Sequence, residues 1–540
     1  MSLKRIKYSH WSVILLILTI QVSGQDHEDQ WQTMDVQHYD FSISLSDTSD
    51  MIFSNAIVTI LLKKPVKTFV LDLSGRDEKG KGMMVKSVTV NGTATSFSHQ
   101  NDSLLIYYNV TKPNSSATIN IEYSGIPAHG LIISKNKFGE RTFFGDNWPD
   151  RAHNWVPCVD HPSDKATVDF RVSAPDHYEV IANGDMIEET ATDHQYKFTH
   201  WQSDEPLPTK VMVIGVADFA IDKVENNLGI PVSTWVYPMN SDKGFADYMN
   251  ATEPLSFYIS HIGPYPFSKL ANVQSTTLFG GMENAGNIFY AENLVTGNQK
   301  QEEIIAHEIA HQWFGNSVSE GNWHHVWLSE GFATYLTDLY YEYKYGSDVF
   351  KSRMETDRKV VIRYATRNFA PVIDTTITDY LDLLNPNSYE KGAWFLHMLR
   401  KELGVELFME SIRTFYEKYK YSNALTIDFQ NIVDSITGKD LTSFFEQWLF
   451  KAGHPVINIM WYQKKKNVLV QIEQLQKGTV FDFPLELGFV SKDGSVKRET
   501  LHVNKVLENY SFPVESTIEN LVPDPDVWLL FEGKVTRGKF

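Results

Sequence analysis

The rhythm of hydrophobic and polar positions changes twice along this chain. Up to about residue 222 apolar side chains recur at short range in the period of two that puts neighbours on opposite faces of a strand. Phe41, Ile43 and Leu45 interleave with serines, and residues 56–62, 69–73, 104–110, 119–123, 178–181 and 211–216 are short β-rich runs. Val88-Thr89-Val90 leads into Asn91-Gly92, a strong hairpin signal. From about Ile230 the spacing becomes helical, as in residues 301–314, where Ile304, Ile305, Ile309, Trp313 and Phe314 share a face, and in residues 335–345 and 393–403. Beyond Gly453-His454-Pro455 strand-like runs return at 456–459, 468–472 and 485–490, with Asp493-Gly494 as a hairpin turn. The pattern predicts an α+β multidomain protein. It has an N-terminal antiparallel β-sheet domain over 25–225, a mostly helical domain over 226–454 and a C-terminal β-sandwich domain over 455–540.

Size agrees with several domains, since 540 residues exceed what one core organises. The formal net charge of −18 argues against nucleic acid, which needs a basic footprint. Residues 1–24 have the form of a signal peptide: Lys4, Arg5 and Lys7, a short apolar core over 11–20, then Val22-Ser23-Gly24. That core is shorter than the roughly 20 residues a spanning helix needs, so the expectation is an exported protein, periplasmic or extracellular, with no stable membrane span after cleavage. Cys158 is the only cysteine, which excludes an intramolecular disulfide. Asn-x-Ser/Thr sequons stand at Asn91, Asn101, Asn109, Asn114, Asn250 and Asn509. Nothing in the chain specifies an oligomeric state.

The chemistry is concentrated in the middle region. His307-Glu308-Ile309-Ala310-His311 lies in the first amphipathic run, where residues i and i+4 present both imidazoles from one helix face. Two such nitrogens are half of a tetrahedral zinc site. Glu330, in Trp327-Leu328-Ser329-Glu330-Gly331, can add a third ligand and leave a fourth position open, the catalytic arrangement, while Glu308 can reach a metal-bound water. One Zn2+ per chain is expected. Upstream, Gly280-Gly281-Met282-Glu283-Asn284 places a glycine pair in a strand-like run, where another backbone can approach closely. Asn387-Ser388-Tyr389-Glu390-Lys391-Gly392 precedes the run at 393–403.

Taken together, Gly280 to Asn284, His307 to His311 with Glu330, Tyr389 to Gly392, and Gln447-Trp448-Leu449 with Gly453-His454-Pro455 resemble the gluzincin aminopeptidases, the family of aminopeptidase N and leukotriene hydrolase. The resemblance implies a thermolysin-like catalytic domain and a zinc aminopeptidase acting on peptides with a free N-terminus. It implies His307, His311 and Glu330 as metal ligands, Glu308 as general base and Tyr389 as oxyanion donor. It also implies substrate contacts from Gly280, Gly281, Met282, Glu283 and Asn284, with Glu283 pairing the α-ammonium.

Three departures stand out. A second amine contact from the N-terminal domain aligns with Trp148, with Asp146 or Asn147 as substitutes. A glutamate that braces a metal histidine in relatives is replaced by Thr337. The sequence stops after the β-sandwich, so a more open site is expected on that side. An epoxide hydrolase or bifunctional enzyme on the same scaffold, and a catalytically silent peptide-binding protein, stay open as alternatives.

Overall fold

The structure, a computed structural model, describes residues 33–193 and 195–538, so the expected signal segment lies outside them. The N-terminal region is built on an eight-stranded sheet around Met34–Ser44, Ile52–Leu62 and Ser115–Ile126. Along Ile52–Leu62 the predicted alternation is realised, with Ala56, Val58, Ile60 and Leu62 buried and their neighbours turned outward. Its strands pair antiparallel except that Met34–Ser44 lies parallel to Lys165–Pro175, with His38 opposite Thr167. A parallel pair needs a long crossover, and residues 45–164 supply it by building further strands. Two of these, Gly130–Lys135 and Arg141–Asp146, join Ile214–Ala217 and Glu179–Ala182 from beyond the crossover in a four-stranded sheet that ends at the candidate site.

The middle region combines helices with a five-stranded sheet that the helical spacing does not predict. Its strands are Ala220–Val224, Val232–Val236, Leu270–Ser275, Asn287–Ala291 and Gly281–Met282, in that order. Leu270–Ser275 is buried along its whole length, because its parallel neighbours are covered on both faces. Such a strand carries no alternation to read. Ala220–Val224 precedes the expected boundary at 225/226 yet pairs with Val232–Val236. Its longer helices, in chain order, are α1 (Ser241–Tyr248), α2 (Thr252–His261), α3 (Glu302–Ala310), α4 (Trp327–Tyr345), α5 (Ser347–Ala365), α6 (Gly392–Leu403), α7 (Val405–Tyr419) and α8 (Thr426–Thr437). No helix among the described residues is long and apolar enough to cross a membrane.

The C-terminal region pairs a four-stranded sheet with a three-stranded one. Phe489 of one packs on Phe512 of the other at 5.3 Å between ring centroids, as facing layers of a sandwich require. It docks on the helices through buried polar groups. Arg358 of α5 donates to Asp524 at 2.6 Å, and His397 of α6 hydrogen-bonds the Val527 carbonyl at 2.8 Å and stacks on Trp528.

The N-terminal region is joined to the middle just behind the metal helix. Lys210 and Glu320 form an ion pair at 2.6 Å with both side chains almost fully buried. Lys165 donates to the carbonyls of Asn316 and Ser317 at 3.0 and 2.7 Å. Leaving one partner of such a buried pair uncompensated costs about 3–5 kcal/mol, so these contacts hold the two regions in one arrangement.

A second polar knot is pH-dependent. The Asp160 carboxylate accepts from the His153 ring at 2.7 Å and from Thr209 at 2.7 Å, and the Asp160 N–H is held by Asp72. Burial opposes the His153 charge, but the hydrogen bond and charge of Asp160, with Asp72 and Asp102, raise its pKa to about 9. A raised folded pKa adds stability in full below the unfolded value near 6.5, lost as pH climbs through about 9. The shift corresponds to roughly 3 kcal/mol. The gap in Tm between the wild type and His153→Gln should therefore be widest below pH 6.5 and close by pH 9 to 10. A gap constant across that range would remove the charged pair as its cause.

Candidate active site and metal centre

Helix α3 carries His307, and His311, its C-cap residue still in helical conformation, falls on the same face as the i, i+4 spacing demands. Their Nε2 atoms lie 3.0 Å apart, and Glu330 Oε2, from the first turn of α4, lies 3.5 Å from His307 and 3.2 Å from His311. These are near the roughly 3.3 Å edge of a tetrahedron with metal–ligand bonds of about 2.0–2.1 Å. His311 Nδ1 is 3.1 Å from the Phe314 carbonyl and 3.0 Å from Ser329 Oγ. A proton on Nδ1 leaves the Nε2 lone pair free for the cluster. Glu330 Oε2 is buried and faces these two ring nitrogens, with no other hydrogen-bond partner among the described residues.

The electrostatics call for a cation at that point. Burial works against every charge here, yet Glu330 is held well below the usual carboxylate range by His311 and His307. Burial and Glu330 pull His311 in opposite directions, and Glu330, Glu283 and Glu308 win, raising it to about 10, while burial lowers His307. The cluster thus holds a positive charge as a proton. A divalent ion held by the same three atoms would take the place of that proton, and the donor set of two imidazoles and a carboxylate fits zinc.

The cavity beside the cluster has a volume of about 40 Å3 and is lined by Trp148, Phe279, Gly281, Met282, Glu283, Glu308, Leu384 and Tyr389 together with the three ligands. That is room for three or four waters at about 10–15 Å3 each. Burial pushes the Glu308 carboxyl well up, and Glu283 upward too. Glu283 Oε1 is buried with no hydrogen-bond partner among the described residues, an exception among buried polar atoms.

Gly281–Met282 is the edge strand of the five-stranded sheet, pairing only with Asn287–Ala291. Its absent side chain is what admits Glu308: a Cβ on Gly281 would stand 2.3 Å from Glu308 Oε1. The edge is pinned to the metal helix because Gln312 and Asn316 both donate to the Glu283 carbonyl, at 2.8 and 2.6 Å. Gln312 also accepts from the Gly286 N–H. Neither role was visible in the sequence, where Gln312 and Asn316 are merely polar residues after a helix.

Tyr389 arrives on a single π-helical turn, Asn387–Lys391, that opens α6. Its ring lies parallel to His307 with centroids 6.1 Å apart, and burial together with Glu330, Glu283 and Glu308 keeps the phenol protonated. A glycine contact sets its position. A Cβ on Gly331, next to Glu330, would come 2.9 Å from the Cα of Gly392, so α4 and α6 touch backbone to backbone. The third ligand and the tyrosine are thereby drawn to one spot.

Two sequence-based expectations are corrected. Asp146 does not face the cavity: it is ion-paired with Arg151 at 2.6 Å and accepts from Thr277 Oγ1 and the Leu278 N–H, each at 3.0 Å. Asn147 is consumed by Trp155 and by the carbonyls of Thr209 and Met212. The residue that lines the cavity from this loop is Trp148, packed edge-on against Phe279 and Trp323. Thr337 bonds the Ala333 carbonyl within α4, and the bracing of a metal histidine falls to Ser329 and Phe314 on His311. Gly280 lines an adjoining groove, and Asn284 is fully buried away from the cavity.

The helix contact is directly testable. In Gly331→Ala the new methyl meets backbone that cannot yield, at a cost of about 1–3 kcal/mol of overpacking. A lower Tm and weaker metal retention are expected together, and a variant with wild-type values for both would show that the contact does not position the site.

Comparison with known proteins places this geometry. Residues 248–448 match the Peptidase family M1 domain and residues 35–211 the Peptidase M1 N-terminal domain. Among curated relatives, Probable aminopeptidase 2 of Sulfurisphaera tokodaii is 26% identical over 430 residues, 75% of this chain and 54% of the relative. Leucyl aminopeptidase of Saccharolobus solfataricus is 25% identical over 70% of this chain and 50% of its own. Glutamyl aminopeptidase of Homo sapiens is 28% identical over 58% of this chain and 34% of its own. The crystal structure of Legionella pneumophila aminopeptidase A in complex with aspartic acid superposes with a TM-score of 0.79 at 20% identity, covering 93% of this chain and 60% of that one. The chain thus spans from about a third to just over half the length of these curated relatives. With both domain models matched in order along the chain, and the candidate site residues from Phe279 to Tyr389 falling within the second match, the chain belongs to peptidase family M1.

Proposed function

We propose that this protein is a zinc aminopeptidase that removes the N-terminal residue of peptides. The observation that carries the reading is Glu283, a buried carboxylate with an unpartnered oxygen on the same small cavity as the three ligands. An ammonium is the natural counterion there, and it limits cleavage to the first peptide bond. Zinc on His307, His311 and Glu330 would polarise the scissile carbonyl and acidify a water. Glu308, raised by burial, is suited to take a proton and return it to the leaving amine. Tyr389 donates its phenolic proton to the developing oxyanion. The Gly281–Met282 edge pairs with the substrate backbone as an added strand. With Asp146 and Asn147 engaged elsewhere, Trp148 offers the amine only an aromatic wall, so Glu283 carries its recognition. Export, supported by the signal-like residues 1–24, would bring the enzyme to peptides outside the cytoplasm.

The decisive assay compares free and N-acetylated aminoacyl anilides, with and without chelator. Hydrolysis of the free form alone, abolished by chelation and restored by zinc, is expected; equal cleavage of the acetylated form would remove Glu283 from its role. Two variants separate proton transfer from metal binding. Glu308→Gln should keep its zinc and lose about 10²–10⁴ in kcat. Gly281→Ala should behave similarly with a nearly unchanged Tm, because the methyl displaces a side-chain end rather than backbone. Near-normal kcat in both would refute the general-base assignment.

A further inference from the structure

The cavity at the metal cluster is too small for more than the reacting end of a peptide, and the edge strand dictates where the rest must go. The amine is held at Glu283, while Glu308 reaches the edge two residues earlier, at Gly281. A substrate that pairs with this edge therefore runs from Glu283 toward lower residue numbers, past Gly280 and Phe279. There the structure opens into a second, larger groove of about 600 Å3 that shares Phe279 with the cavity. Its floor is the segment 275–280, one wall is residues 291–293, and the other is Ser134 to Lys137 of the N-terminal four-stranded sheet.

This groove differs in charge from the molecule around it. The chain carries a formal charge of −18, yet the groove presents two lysines against one carboxylate. Lys135 is exposed, and although its backbone pairs with Arg141 its ammonium has no hydrogen-bond or ion-pair partner among the described residues. Lys137 spends one donor on the Glu292 carbonyl at 3.0 Å, and the single carboxylate, Glu292, already accepts from the Lys137 N–H at 3.0 Å. Leu278, 70% exposed on the rim, adds an apolar contact for a passing side chain. The groove's place is held by Asp146, whose carboxylate fixes Thr277 and Leu278.

We propose that this groove receives the body of the peptide beyond the scissile bond, and that Lys135, with Lys137, binds the free C-terminal carboxylate of short peptides. This rests on the aminopeptidase reading and adds a substrate class to it: short peptides with a free acid end, bound over several residues. An exposed ion pair of this kind is screened by salt, so its contribution should fall with ionic strength.

The test uses the zinc-loaded full chain and three substrates: a leucyl anilide, which ends before the groove, a leucyl pentapeptide of neutral residues as free acid, and the same pentapeptide as C-terminal amide. For the wild type at low salt, kcat/KM for the acid is expected to exceed that for the amide by about three- to tenfold, through KM, and the ratio should approach one at 0.5 M salt. In Lys135→Glu the acid-to-amide ratio should fall to one or below, and in Lys135→Arg it should persist. Turnover of the amide by each variant reports that the variant is folded and loaded. An acid-to-amide ratio of one in the wild type, or a ratio that survives Lys135→Glu, overturns the proposal. A preference that follows an internal acidic side chain and ignores amidation overturns it equally, since it assigns the groove to a different group. Failure of the wild type on all three substrates would instead reject the aminopeptidase reading.

Discussion

Three carboxylates, Glu283, Glu308 and Glu330, are buried around one cavity that no lysine or arginine lines. So much negative charge in a low-dielectric site is unfavourable unless cations are brought to it. Much of the catalytic design follows from that constraint. The two imidazoles and Glu330 answer it with a cluster that could hold a divalent ion, and in the proposed function Glu283 would take an ammonium. Glu308 answers it by holding its proton more tightly than a solvated glutamate. On the proposed reading, a metal and a substrate amine would neutralise charge that the described residues leave uncompensated.

Holding that arrangement falls to groups that do no chemistry. Two glycines admit close contacts, Gly281 for the Glu308 carboxylate and Gly331 for the backbone of α6. Gln312 and Asn316 clamp the substrate edge to the end of the metal helix. Behind them Lys165 and the Lys210–Glu320 pair fasten the N-terminal sheets to the segment after that helix. The N-terminal region contributes an aromatic wall through Trp148, a fixed Thr277–Leu278 segment through Asp146, and the lysine side of the outer groove.

What could be read from the residues depended on whether the chemistry was local. The i, i+4 histidines are placed by helix geometry alone, and the N-terminal and C-terminal strands announce themselves because one face is buried and the other is not. The five-stranded sheet of the middle region escaped because Leu270–Ser275 is buried on both faces and shows no alternation. Asp146 and Asn147 were reasonable substrate contacts by alignment, but a polar side chain near a site is bound by whichever partner is closest. Arg151 and Trp155 are those partners.

By itself the sequence determined the kind of chemistry, because the His307–His311 spacing and the surrounding motifs are short-range patterns that one helix and one strand edge can present. Only the tertiary structure decided that Glu330, Glu283 and Tyr389 meet those histidines around one cavity. It also decided that Trp148 rather than its neighbours faces the cavity, and that a lysine-lined groove continues from it. Those are contacts between elements far apart along the chain. They exist because backbones can approach at Gly331 and Gly392 and because buried pairs such as Lys210–Glu320 tolerate only one docking of the regions.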